Sequence, residues 1–154
     1  MATLLRSGSP SRGGGVARAL KPGGVFVVQD YYSYLALVLA PESAAFRRVV
    51  RAVHRSWAMR GGSIDVATHV PEMMRHCGLE LKDVKPIVRV ARPGSALWQW
   101  PETFFRNFLP TLVEMKLITS DDRHAFEKDW ADRSNDPSAL FCTPPMLDVI
   151  GVKR

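Results

Sequence analysis

Short apolar runs and stretches with helical periodicity alternate along this chain, and they predict a mixed α/β protein. Residues 24–29 include four uninterrupted apolar side chains, a pattern typical of a strand that is buried on both faces. Further strands are predicted at residues 80–90, where Pro86 interrupts the run, and at residues 146–153. Residues 19–24 end in Lys-Pro-Gly-Gly, which indicates that a helix stops and turns sharply into the first strand.

Helices are predicted between these strands. An apolar stripe at helical spacing predicts a helix over residues 42–59, and the next helix begins at Pro71 and stops at Gly78. Residues 95–137 are rich in Trp and Phe and are predicted to form a helical insertion, in which Pro110 breaks or restarts a helix.

Composition is compatible with one folded domain, because 154 residues with 46% hydrophobic content can bury a core. Residues 1–15 are rich in Gly, Ser and Arg and predict a disordered tail ahead of a domain at residues 16–154. The two cysteines have no metal-ligand spacing, and no apolar run is long enough to span a bilayer. We therefore expect a cytoplasmic protein without a metal site or a membrane partner.

The net charge of +6 invites a nucleic-acid hypothesis, but the basic residues are spread over several segments. The densest set lies on one face of the helix predicted at residues 42–59 and comprises Arg47, Arg48, Arg51, His54 and Arg55. Such a face is either simply solvated or forms a patch for phosphate-bearing partners. No RNA-binding motif accompanies it, so nucleic-acid binding is the third hypothesis for function.

Three segments resemble the C-terminal half of the class I S-adenosylmethionine-dependent methyltransferases. Residues 20–24 match the turn that leads from the fourth helix into the fifth strand of that family. Residues 71–81 are similar to its last helix and sixth strand, and residues 146–153 are similar to its final strand. The resemblance implies part of a Rossmann-like seven-stranded sheet, with about three strands flanked by helices. It places the last strand antiparallel between the other two.

The resemblance also implies S-adenosylmethionine as cofactor, but the glycine-rich loop that holds it in the family has no counterpart here. The only early glycine cluster, Gly13 to Gly15, follows no apolar strand. We therefore expect a partial methyltransferase domain, whose activity as a single chain is uncertain. The strand at 24–29 would then expose an unpaired edge, which could pair with a missing N-terminal half or drive self-association.

Candidate site residues follow from the rule that ligands bind at the carboxyl ends of the parallel strands of open α/β sheets. Asp30 comes directly after the first strand and is the candidate general base. Aromatic residues near this position and in the insertion form a candidate wall for a methyl acceptor: Tyr31, Tyr32, Tyr34, Trp98 and Trp100.

The resemblance implies methyl transfer to a small-molecule acceptor. The alternative is a non-catalytic binding or assembly module that completes the sheet of another chain.

Overall fold

The computed structural model describes residues 10–154, and these form two compact units. The first unit contains residues 10–34, 61–87 and 145–154, and we call it the sheet unit. The second contains residues 35–60 and 88–144, and we call it the helical unit. The insertion predicted at residues 95–137 is therefore part of a larger unit, which also includes an earlier stretch of the chain.

The sheet unit contains three long strands, β1 (Val25–Tyr31), β3 (Leu79–Ile87) and β6 (Met146–Lys153). Its order is β1-β6-β3, and β6 is antiparallel to both neighbours. The predicted central, antiparallel position of the last strand is thus confirmed. Because both outer strands oppose β6, they run in the same direction, and their carboxyl ends meet across Met146, which pairs with Tyr31 and with Ile87.

Helices α1 (Pro10–Ala19) and α3 (Val70–His76) contribute to the core of the sheet unit. Ala17 from α1 and Met74 from α3 are buried together with Val149 of β6. A methyl group on Gly151 would lie 2.8 Å from the Met74 sulfur, so this glycine lets α3 approach the central strand closely.

Helix α1 corrects part of the tail prediction. The helix begins at Pro10, so residues 10–15 are helical rather than disordered. Ala17 in its last turn and Leu20 directly after it pack into the core, which explains how a glycine-rich stretch is held as a helix. Residues 1–9 of the predicted tail lie outside the described residues.

The helical unit is built from α2 (Ala44–Met59), α4 (Ala96–Glu114) and α5 (Ser120–Ser134). It also contains a small antiparallel sheet of three short strands in the order β2-β5-β4, with bounds Val38–Ala40, Leu140–Cys142 and Val90–Ala91. The strand predicted at 80–90 is thus divided: β3 ends at Ile87, and β4 belongs to the other sheet.

An aromatic cluster forms the centre of the helical unit. Phe46 of α2 lies within 5.7–6.3 Å, between ring centroids, of four other rings: Phe105, Phe126, Trp130 and Phe141. All five side chains are at most 6% exposed. The apolar stripe predicted on α2 is therefore confirmed, since it supplies the central ring of this cluster.

The helix predicted to break at Pro110 continues through it. Helix α4 contains Pro101 and Pro110 and runs unbroken to Glu114. Leu109 and Leu112 are 1% and 0% exposed on either side of Pro110. Tertiary packing of this segment therefore outweighs the local cost of an interior proline.

Candidate functional site

The carboxyl end of β1 carries the best candidate site in the sheet unit. Asp30 and Tyr31 are the last residues of the strand, and Tyr34 opens a short 3-10 helix (Tyr34–Ala36) directly after it. Tyr32 extends the pairing of β1 beyond the strand, because its N–H donates to the carbonyl of Pro145 at 3.1 Å. The four residues predicted around this strand end therefore lie on one continuous stretch of backbone.

Asp30 is partly buried. Burial raises the pKa of its carboxyl group above the ordinary value, while a hydrogen bond from the N–H of Tyr31, 2.8 Å long, acts in the opposite direction. A carboxylate whose pKa is raised by burial is a stronger base than a solvated one. This is the property that a proton acceptor at the end of a strand needs.

Tyr31 lies near this carboxylate and forms an aromatic pair with Tyr34. Their ring centroids are 5.6 Å apart and the rings meet edge to face. Burial, and secondly the charge of Asp30, raise the pKa of Tyr31 to about 12. Burial is also the main cause that raises the pKa of Tyr34, and both phenols stay protonated at neutral pH.

Asp65 belongs to this cluster and is missing from the residues that the sequence predicts. Its carboxylate accepts the backbone N–H of Tyr34 at 2.6 Å, and it is itself positioned by its own N–H, which donates to the hydroxyl of Ser63 at 3.2 Å. An Asp just before a helical turn is a usual capping signal. Nothing in the sequence links it to a residue 31 positions earlier.

The alkaline titration of the tyrosines gives a direct test of this geometry. The folded pKa of Tyr31 lies above its ordinary value, so the unfolded chain releases this proton first. We therefore expect stability to fall as the pH rises from about 10 to about 12. Absorbance of the phenolate should show a step near pH 12 that is absent in Tyr31→Phe. A chain in which all three tyrosines ionise together near pH 10 would contradict the burial of this pair.

The two predicted tryptophans lie in the helical unit. Trp98 is 2% exposed and packs on Trp130 with ring centroids 4.9 Å apart. Its indole N–H donates to the hydroxyl of Ser134 at 3.1 Å. Trp98 is therefore a core residue whose polar atom is already engaged, and we do not carry it into the proposed site. Trp100 is 45% exposed, and its role in acceptor binding stays a prediction.

Among residues 10–154, no glycine-rich loop follows a strand in the way that the resemblance implies for S-adenosylmethionine. Gly13 to Gly15, the one early glycine cluster, lie inside α1 and so form no loop after a strand. Within residues 10–154 no group of three or more His, Cys, Asp or Glu side chains is arranged to hold a metal ion. Among the described helices, none is both long and apolar enough to cross a membrane.

Two solved methyltransferase structures are similar to this chain. One is a protein of Bacillus halodurans C-125, assigned provisionally as a methyltransferase, with a TM-score of 0.45 and 14% identity. The other is phosphoethanolamine N-methyltransferase 2 of Haemonchus contortus, in complex with phosphomonomethylethanolamine and S-adenosylhomocysteine, with a TM-score of 0.35 and 14% identity. Each match covers 94% of this chain, but only 57% of the first protein and 30% of the second.

No protein-family model matches the sequence, and no curated protein matches it. The chain spans little more than half the length of the Bacillus protein. Neither match assigns a function to this chain, because both TM-scores are below 0.5.

Proposed function

We propose that this chain supplies the acceptor-binding side of a methyltransferase that acts on a small molecule. The observation that carries the proposal is the position of Asp30 and Tyr31 at the carboxyl end of β1, in a sheet with the order β1-β6-β3. That order is the one implied by the family resemblance. The carboxyl end of such strands is where open α/β sheets bind ligands.

The chemistry of the cluster favours an acceptor that carries an amine. A partly buried carboxylate gains most from a cationic partner, because an opposite charge offsets the cost of its burial. The ring of Tyr31, which lies near this carboxylate, also attracts an ammonium group through its face. Asp30 would hold the ammonium group and accept its proton, which leaves the nitrogen lone pair free to act as nucleophile.

The methyl donor implied by the resemblance is S-adenosylmethionine. We assign no residue of the described chain to it, since the glycine cluster lies inside a helix. The roles proposed here are confined to the acceptor: Asp30 binds its charged group, and Tyr31, held by the buried ring of Tyr34, orients it.

The acceptor site can be tested by NMR titration of the isotope-labelled chain with benzylamine, a small amine on one aromatic ring. The neutral control is benzyl alcohol, which has nearly the same shape. We expect the amine, and not the alcohol, to shift the backbone amide signals of Asp30, Tyr31, Tyr34 and Asp65. The shifts should disappear in Asp30→Asn. Equal shifts from both probes, or shifts confined to other parts of the chain, would contradict the proposal.

Asp30→Asn should also raise the stability of the sheet unit at neutral pH. The raised pKa means that the folded state disfavours the ionised carboxyl, and an amide removes that cost while its oxygen still accepts the Tyr31 N–H. Urea unfolding followed by tyrosine absorbance reports on this unit, because Tyr31, Tyr32 and Tyr34 all lie in it.

The matched control is Asp83→Asn on β3. Lys85 holds the pKa of Asp83 below its ordinary value, so this change should not raise stability. A lower urea midpoint for Asp30→Asn would mean that the charge of Asp30 stabilises the fold, and the functional argument for this residue would fail.

A nucleic-acid function has less support. Of the four arginines on the exposed face of α2, Arg47 is bridged to Glu42 at 2.5 Å and Arg48 to Asp122 at 2.9 Å. Carboxylates thus already pair with two of these four arginines, which favours a solvated face. The assembly function has a specific observation in its favour, because one edge of β1 pairs with no other strand within residues 10–154.

A further inference from the structure

The two edges of the β1-β6-β3 sheet are built differently. The outer edge of β3 has a bulge between Leu81 and Asp83, and Pro86 offers no N–H there. The N–H of Val84 is taken by the side chain of Asp83 at 2.8 Å, and Lys85 adds a charge. Bulges, prolines and lysines are the features by which natural sheets prevent an edge from pairing. The β3 edge is therefore protected.

The outer edge of β1 has none of these features along most of its length. The N–H of Lys153 donates to the carbonyl of Gly24, and the N–H of Tyr32 donates to the carbonyl of Pro145. The backbone N–H and C=O groups of the even-numbered residues of β1 therefore point towards β6. The backbone groups of Val25, Val27, Gln29 and Tyr31 therefore point away from the sheet. The N–H of Tyr31 is taken by the Asp30 carboxylate, as described above.

Three residues thus keep unused backbone donors on this edge: Val25, Val27 and Gln29. The structure gives them no hydrogen-bonding neighbour within residues 10–154 on that side. Val25 and Val27 are also 57% and 53% exposed, although their apolar run predicts a strand that is buried on both faces. A strand with free polar groups and exposed apolar side chains at the same positions is suited to pair with another strand.

We propose that β1 pairs with β1 of a second copy of this chain, in antiparallel fashion, about a twofold axis at Val27. The three free residues are spaced evenly about Val27, so this axis pairs all of them at once. Val27 then lies opposite Val27 of the second copy, and Val25 lies opposite its Gln29. In an antiparallel ladder, hydrogen-bonded and non-hydrogen-bonded residue pairs alternate, and in this register the three pairs formed by Val25, Val27 and Gln29 are the hydrogen-bonded ones. They add about six backbone hydrogen bonds between the two copies.

The rest of the strand is compatible with this register. Asp30, the only charged residue of β1, lies opposite Gly24 of the second copy, so no like charges face each other. Tyr31 lies beyond the last of these pairs, near the turn of the second copy that contains Gly23, a residue without a side chain. Val25 and Val27 lie opposite Val152 and Ile150 of β6, so they belong to an apolar row that runs across the sheet. Pairing about the twofold axis brings the apolar rows of the two copies side by side. A three-stranded sheet thereby becomes a six-stranded one, which needs no further strand at this edge.

The test is the mass of the chain in solution by light scattering, compared with that of Val27→Pro. The proline removes an N–H that points to the second copy and leaves the β1-β6 ladder intact. We expect the unaltered chain to have about twice the mass of 17.2 kDa, and Val27→Pro to have half of that with an unchanged circular dichroism spectrum. Should the proline variant not fold, Val27→Lys tests the same edge through its side chain. The matched control is Leu81→Lys at the other edge, which should stay dimeric.

Amide hydrogen exchange distinguishes a dimer paired in this register from a dimer formed through another surface. The amides of Val25, Val27 and Gln29 should exchange slowly in the dimer, and those of Val25 and Gln29 should exchange rapidly in Val27→Pro. A chain that is monomeric at all concentrations would overturn the proposal and leave this edge for a strand of another protein. A dimer that persists in both Val27 variants would also overturn it, because the interface would then lie elsewhere.

Discussion

Replacing Phe46 by alanine should destabilise the helical unit by about 3–5 kcal/mol, the usual cost of deleting a large buried aromatic side chain. Phe46 is 3% exposed and contacts rings from α4, α5 and β5. Its removal therefore opens a cavity at the point where three elements meet. The surrounding side chains are themselves large rings, which cannot easily shift to fill the space.

Tryptophan fluorescence during urea unfolding measures this effect selectively, because all four tryptophans, at positions 57, 98, 100 and 130, lie in the helical unit. The matched control is Trp100→Ala, since Trp100 is 45% exposed and its loss should change stability by no more than about 0.5 kcal/mol. A loss below about 1 kcal/mol for Phe46→Ala would show that the aromatic cluster is not the core of this unit.

Replacing Gly24 by alanine should destabilise the sheet unit by about 1–3 kcal/mol through overpacking. A Cβ at this position would lie 2.8 Å from the carbonyl oxygen of Lys21 and 3.3 Å from the side chain of Leu20. The oxygen belongs to the backbone of the turn that joins α1 to β1, and it already accepts the Gly24 N–H. The turn itself must therefore open, which moves the start of β1.

The control for this change is Gly15→Ala in α1, where a Cβ would meet no atom within 4 Å. Alanine suits a helix better than glycine, so this variant should be more stable by up to about 1 kcal/mol. Tyrosine absorbance during urea unfolding reports on the sheet unit in both variants. If both alanine variants lower stability equally, the effect is not due to the tight turn.

Local patterns in the sequence predicted much of the sheet unit. The apolar run at residues 24–29 became β1, and the final run at 146–153 became β6, within a few residues at each end. The order of the strands came only from the family resemblance, because periodicity indicates which segments are strands and says nothing about which of them pair. Only the hydrogen-bond ladders of the structure show which residues of β1 have backbone groups on its outer edge, because neither periodicity nor the resemblance indicates this.

The division into two units could not be predicted from local patterns. It depends on residues 35–60 packing with residues 88–144, and such contacts leave no periodic signal. Trp98 illustrates the same limit within the candidate site. Its spacing of seven residues from Phe105 is typical of a shared helix face, and both side chains are 2% exposed. That signal favoured a core position over a substrate wall.

Calorimetric titration of the purified chain with S-adenosylhomocysteine tests directly whether this chain supplies only the acceptor side of a methyltransferase site. Our proposal gives this chain the acceptor side alone, with none of its described residues assigned to the cofactor, and it predicts no detectable binding. Binding with micromolar affinity would contradict it, because the chain would then hold a cofactor pocket that the cluster at the end of β1 does not explain.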